Sequence, residues 1–181
     1  MTALGQNPLV ERIAGSLKDA AGPEYLVTLL AEISNRGFSG RFQLGTRKTL
    51  RRLYFLGGHP VGFWSDHPED AFGRRFVDAG ALDGAALRWT QKHLSSGERI
   101  EEALVAGQGV TWSQVAEQQV RHIEAGIHAV GRMTSGDWEF RGEPSVANRL
   151  KHSSLPQVSL YGALWRSIRR SVSADQAVHW V

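Results

Sequence analysis

Two rhythms of apolar residues divide the chain. Tyr25, Leu26, Leu29, Leu30 and Ile33 recur at the i, i+1, i+4, i+5 and i+8 spacing of a helix face. Pro23 suits the first turn of that helix, and Gly37, after Asn35-Arg36, suits a left-handed cap at its end. From Phe38 the period shortens to two, with Phe38, Gly40, Phe42 and Leu44 on one side of an extended segment. Gly45-Thr46-Arg47-Lys48 is a charged turn, after which Leu50, Leu53, Phe55 and Leu56 mark a second strand that also carries Arg51 and Arg52. Gly57-Gly58 predicts a tight hairpin turn, because both central positions must take positive φ. His59 to Trp64 returns as a third strand, and Pro60, lacking an N–H, places it at a sheet edge.

Beyond Trp64, Ser65 or Asp66 is a candidate helix cap with Pro68 in the first turn, and helical signals run from there to about Met133. Thr134-Ser135-Gly136-Asp137 breaks the pattern. Trp138-Glu139-Phe140-Arg141 is a lone short strand, and a lone strand needs a sheet; the earlier three strands are the available one. Glu143 to Pro156 reads as polar and irregular. A last helix is predicted from about Val158, with Leu160, Leu164 and Ile168 inward and Arg166, Arg169 and Arg170 on another face. At the other end, residues 1–22 read as a lead-in in which Leu9, Val10, Ile13 and Leu17 predict a short amphipathic helix.

The helical stretch repeats itself at an offset of 28 residues. Phe72 corresponds to Ile100, Phe76 to Leu104, Val77 to Val105, Leu82 to Val110 and Gln91 to Gln119. Each unit reads as a helix, a glycine-containing turn with an apolar plug, and a second helix, with Gly73 and Gly80 as structural positions. Two units fall short of the roughly three that a solenoid needs, so a compact helical insertion against the sheet is expected. The architecture predicted is α+β: a small antiparallel sheet of about four strands, helices before and after it, and a helical insertion over 66–133. The main domain is drawn over 23–174, leaving 175–181 as a tail.

Composition narrows the function classes. The chain has 181 residues, 41% of them hydrophobic, with 6 Trp and 7 Phe, enough to build a core. Lys and Arg number 21 against 18 Asp and Glu, and the formal charge of +3 does not by itself mark a nucleic-acid binder. With no cysteine, disulfides and thiolate metal sites are excluded. The first residues lack a basic start followed by an apolar run, and no window reaches the ~18 apolar residues of a membrane span, so a cytoplasmic location is expected.

The order of these pieces resembles the PATAN family of bacterial signalling domains. The resemblance rests on Gly40-Arg41-Phe42-Gln43-Leu44, then Leu53-Tyr54-Phe55-Leu56-Gly57-Gly58-His59-Pro60-Val61, then the helical repeats, then Gly136-Asp137-Trp138-Glu139-Phe140, over about 24–170. It implies a non-catalytic protein–protein interaction role in signal transduction, motility or polarity. The partner it implies is another signalling protein, such as a response regulator or a small-GTPase system, and a homodimer is a further arrangement. The sequence departs from the family in its lead-in and at Glu101, where the repeat usually carries glycine.

The chemistry-bearing residues point away from catalysis. The seven histidines (His59, His67, His93, His122, His128, His152, His179) are scattered, and His122 and His128 lack the i, i+4 spacing of a zinc helix, so no metal is expected. Glu69-Asp70 and Glu101-Glu102 are sequence neighbours that diverge on a helix. No nucleophile elbow, phosphate loop or dinucleotide fingerprint occurs, and neither an enzyme nor a cofactor is expected.

The repeats also resemble the cyclic di-GMP motif of secretion and pilus ATPases. Here, however, the first copy lacks its leading Arg, and Glu101 stands where a phosphate would approach. Arg47, Lys48, Arg51 and Arg52 beside Phe42 and Tyr54 raise nucleic acid as another ligand. A cyclic di-GMP effector and a weak nucleic-acid-binding module stand as alternatives behind a partner protein, the latter because a charged hairpin also guards strand edges and these aromatics are expected in the core. The partner-binding candidates are Arg47, Lys48, Arg51, Arg52, Trp112, Tyr161, Trp165, Arg166, Arg169 and Arg170, with the strand edge near His59 and Trp64 as a further surface; Trp, Tyr and Arg are enriched at interface hot spots.

Overall fold

The computed structural model describes residues 12–19, 24–93, 99–143, 156 and 158–171. Its strands are β1 (Ile13–Ser16), β2 (Gly40–Gly45), β3 (Leu50–Leu56), β4 (His59–Ser65) and β5 (Asp137–Gly142). Its α-helices are α1 (Glu24–Asn35), α2 (Arg74–Asp78), α3 (Gly84–His93), α4 (Ile100–Gln108), α5 (Trp112–Gly131) and α6 (Leu160–Ser171). The strands form one antiparallel sheet in the order β1-β5-β2-β3-β4, an α+β architecture. The lone strand does join the sheet, with Phe140 opposite Phe42 and Trp138 opposite Leu44. β4 is an edge strand, as Pro60 requires.

The sheet has five strands rather than four, and the extra one comes from the lead-in. Ile13–Ser16 is a strand along β5, not part of an amphipathic helix, and a single 3-10 turn, Leu17–Asp19, follows it. The physical reason lies in β5, whose second edge would otherwise be unpaired. Gly15 sits against the Trp138 indole, where a Cβ would come within 2.9 Å of three ring atoms, and Leu17 is buried in the core. Leu9 and Val10, the other half of the expected helix, lie outside the described residues.

Antiparallel pairing puts directly opposed residues on one face. Phe42, Leu44, Leu53, Phe55, Phe63, Trp138 and Phe140 share the side that packs against the helices. α1 contributes Leu26, Leu30 and Ile33, α5 contributes Ile123, Ile127 and Val130, and α6 contributes Leu160, Ala163 and Leu164. Ile168 is in α6, but its side chain lies outside the described residues. The β3–β4 turn takes φ of 56° at Gly57 and 82° at Gly58, and a Cβ on Gly58 would overlap the Ser34 carbonyl of α1. Neither candidate cap after β4 acts on a helix. Asp66 accepts the Leu50 N–H at 2.8 Å and Ser65 the His67 N–H at 3.0 Å, so both close the strand end, and Pro68–Asp70 is one uncapped 3-10 turn.

Helices α2 to α5 surround a second core of Phe76, Leu82, Leu104, Val110 and Val115. The plugs Leu82 and Val110 are both buried, and the residue after each is a helix cap. Asp83 accepts the Ala86 N–H, and Thr111 forms a reciprocal capping box with Gln114. The left-handed glycines, Gly80 and Gly109, are one residue out of the 28-residue phase. Gly73 packs where a Cβ would stand 2.5 Å from Leu87 and 3.2 Å from Ile100, so α2 nests into α3 and α4. Gly40 and Gly136 are close-approach positions too, beside the main chains of Arg141 and Gly45 respectively.

Candidate functional site

The four hairpin cations singled out from the sequence, Arg47, Lys48, Arg51 and Arg52, take three different positions. Arg47 and Lys48 are exposed at the tip, which is held rigid: the Thr46 N–H reaches the Thr49 carbonyl, and Thr46 Oγ1 accepts the N–H groups of Lys48 and Thr49. Neither side chain has an ion-pair partner among the described residues. Arg51 lies on the helix-bearing side and pairs with Asp70 at 2.9 Å, both side chains largely buried. Arg52 points to the opposite side, donates to Gln43 Oε1 at 3.0 Å and stacks over the Trp64 ring at 4.6 Å.

That opposite side of the sheet faces away from all the described helices. One row across the five strands is Ala14, Glu139, Gln43, Arg52 and Trp64. The next is Arg141, Arg41, Tyr54 and Gly62, in which the Tyr54 ring lies over Gly62. No residue of either row is buried. Glu139 pairs with both Arg12 (3.2 Å) and Arg141 (3.0 Å), and Glu143 pairs with Arg41 (3.5 Å). Sequence reasoning offered the strand edge near His59 and Trp64 as a contact surface but did not join Trp64 to Arg41 and Arg141. The signal was present, since Phe63 faces the core and Trp64, its neighbour on a strand, must face out. Phe42 is in the core as expected, whereas Tyr54 is not.

The exposed aromatics on the helices are separate from this face. Trp112, the first residue of α5, is 58% exposed, and Trp89 on α3, not singled out from the sequence, is 55% exposed. On α6, Tyr161 (51%) and Trp165 (62%) stand one turn apart, opposite the buried Leu160, Ala163 and Leu164. Tyr161 Oη donates to Asn35 of α1 and Arg166 pairs with Glu124 of α5, so both ends of this stripe are tied down. The side chains of Arg169 and Arg170 lie outside the described residues.

His122 stands at the seam between the two cores and is 7% exposed. Its ring meets Phe63 of the first core at 5.0 Å and Phe72, packed on the second, at 5.3 Å. Burial holds its pKa down to about 4, helped by the Arg75 guanidinium and opposed by a Phe63 main-chain hydrogen bond and by Asp70 and Glu101. Glu101, the departure in the second repeat, lies between Arg99 at 3.3 Å and the amide of Gln119 at 3.5 Å. An anion approaching Gln119 therefore meets a carboxylate. Among the described residues no group of three or more His, Asp or Glu converges to hold a metal, and no helix is long and apolar enough to cross a membrane. Comparison of the chain with protein-family models, with curated proteins and with solved structures finds no match.

Proposed function

We propose that the protein is a non-catalytic interaction module of bacterial signalling that docks onto another cytoplasmic signalling protein through α6. The observation that carries this reading is the Tyr161–Trp165 stripe, two large aromatics more than half exposed on a helix whose other side is core. Trp, Tyr and Arg dominate interface hot spots, and the two aromatics bury much area at little entropic cost. Tyr161 and Arg166 are already held by Asn35 and Glu124, so little side-chain freedom remains to be lost on docking. The PATAN-like order of motifs supports the same class of role. Arg47 and Lys48, exposed at the rigid hairpin tip, offer a second contact, suited to an acidic surface.

The test is affinity capture from a bacterial lysate with the wild-type protein and with Trp165→Ser, followed by titration of the purified captured protein. The expected result is one signalling protein lost from the Trp165→Ser set, bound at least about tenfold more weakly on titration. Identical captured sets and equal affinities refute docking through α6.

A further inference from the structure

The geometry points to the open face of the sheet as a binding platform for single-stranded nucleic acid, a ligand separate from the protein docked on α6. Two adjacent rows of side chains carry the assignment. Trp64 is 41% exposed with Arg52 stacked on it, and Tyr54 lies two residues from Arg52 on the same strand and face. Toward the other edge stand Arg41, Arg141 and Arg12. The platform thus has stackable aromatic rings at one end and guanidinium forks at the other, over about 19 Å of paired strands.

Charge favours an anionic occupant. Arg41 and Arg141 are directly opposed across β2 and β5, an unfavourable like-charge pair in a sheet. Glu139 is shared by Arg12 and Arg141, leaving two guanidiniums for one carboxylate. Arg52 is bonded only to a neutral amide and an indole among the described residues. The face and the adjoining hairpin tip hold Arg12, Arg41, Arg52, Arg141, Arg47 and Lys48 against Asp66, Asp137, Glu139 and Glu143. Phosphate oxygens take the same bidentate geometry as the carboxylates and bring further negative charge.

The remaining features choose among anions. A protein interface needs an apolar centre that sheds water, and here Tyr54 and Trp64 stand toward one edge and Leu50 and Leu56 at the two ends of β3, while Arg, Gln and Glu fill the middle. A duplex buries its base faces and offers nothing to stack on Tyr54, Trp64 or Arg52. Unpaired bases stack on aromatic and guanidinium planes while the backbone tracks the cations.

Fluorescence anisotropy with labelled single-stranded RNA and DNA of about 15 nucleotides tests this. Binding is expected to weaken on going from about 50 mM to 200 mM salt, and a duplex of the same sequence is expected to bind more weakly. Trp64→Ala is expected to weaken single-strand binding by about five- to a hundredfold, with Trp64→Phe restoring most of it. Arg141→Gln and Arg41→Gln are expected to weaken binding and flatten its salt dependence, with far-UV circular dichroism unchanged. No binding at the lowest salt overturns the assignment. So does equal binding of the duplex, or of polyglutamate or anionic vesicles in place of the oligonucleotide. Self-association abolished by Trp64→Ala without oligonucleotide binding makes the face a contact between copies and also overturns it. If Trp64→Ala loses its fold, the two arginine variants decide alone.

Discussion

The imidazole of His122 lies 5.0 Å from the ring of Phe63 and thereby joins α5 to the edge strand β4. Its other neighbour, Phe72, belongs to the helical insertion, so one buried titratable ring touches both halves of the molecule.

That position makes stability depend on pH in a defined window. In the unfolded chain the ring titrates near 6.5, whereas in the fold burial lowers its pKa to about 4. Between these values the unfolded state binds more protons, so stability falls as pH drops from 6.5 to 4 and this contribution is flat outside the window. The full loss is roughly 3 kcal/mol. Urea denaturation at several pH values is expected to show that slope, and His122→Phe to flatten it; an equal slope in the variant removes His122 as its origin.

Glycines 126 and 107 on the helices give opposite expectations. A Cβ at Gly126 would overlap the Phe63 ring, so Gly126→Ala is expected to cost about 1–3 kcal/mol by overpacking. At Gly107, within α4, the nearest atom of another element to a Cβ is in the Trp89 ring of α3 at 4.0 Å, so Gly107→Ala is expected to stabilise by about 0.5–1 kcal/mol. Thermal melts of the two variants should move in opposite directions.

The Arg51–Asp70 pair ties β3 to the turn that begins the insertion. Both partners are mostly shielded from water, so removing one leaves a charge with little solvent to replace its partner. Arg51→Met and Asp70→Asn are each expected to cost about 1–3 kcal/mol, and the double variant less than their sum. Strict additivity in a double-mutant cycle would show that the pair contributes no coupling.

Strand β1 is short, yet it covers the open edge of β5. Deleting residues 1–16 is expected to lower the melting temperature and to produce higher oligomers in size-exclusion chromatography, because β5 becomes an unpaired edge beside Trp138 and Phe140. A monomer of unchanged stability would show that the edge needs no cover.

Much of this fold was legible because each rhythm had one meaning. The Phe42–Leu44 alternation, the Gly57-Gly58 turn and the stripe from Leu26 to Ile33 match β2, the β3–β4 turn and α1. β1 was not legible, since Ile13-Ala14-Gly15-Ser16 contains one large apolar residue and its pairing depends on Trp138, far along the chain. The same limit hid the open face. Arg52 and Trp64 meet only across a strand pair, while Arg51 and Arg52, adjacent in sequence, part to opposite sides. The α6 stripe was half legible: the inward Leu160 and Leu164 are core as the period predicts, and Tyr161 and Trp165 stood out by type, but the contacts of Tyr161 with Asn35 and of Arg166 with Glu124 join residues far apart in the chain.

The insertion has a consequence for the order of assembly. β2 and β5 pair through residues 42 and 140, a closure that a flexible chain makes slowly because so much entropy is lost at once. The intervening helices carry their own core, so they collapse locally and shorten the slack between the two strands before they meet. The β2–β3–β4 meander and the helical pairs are then expected to form early, with docking of β5 and then β1 as the late step. The span between β4 and β5 acts as a folded spacer, and its exterior is free to diverge without disturbing the register of the sheet.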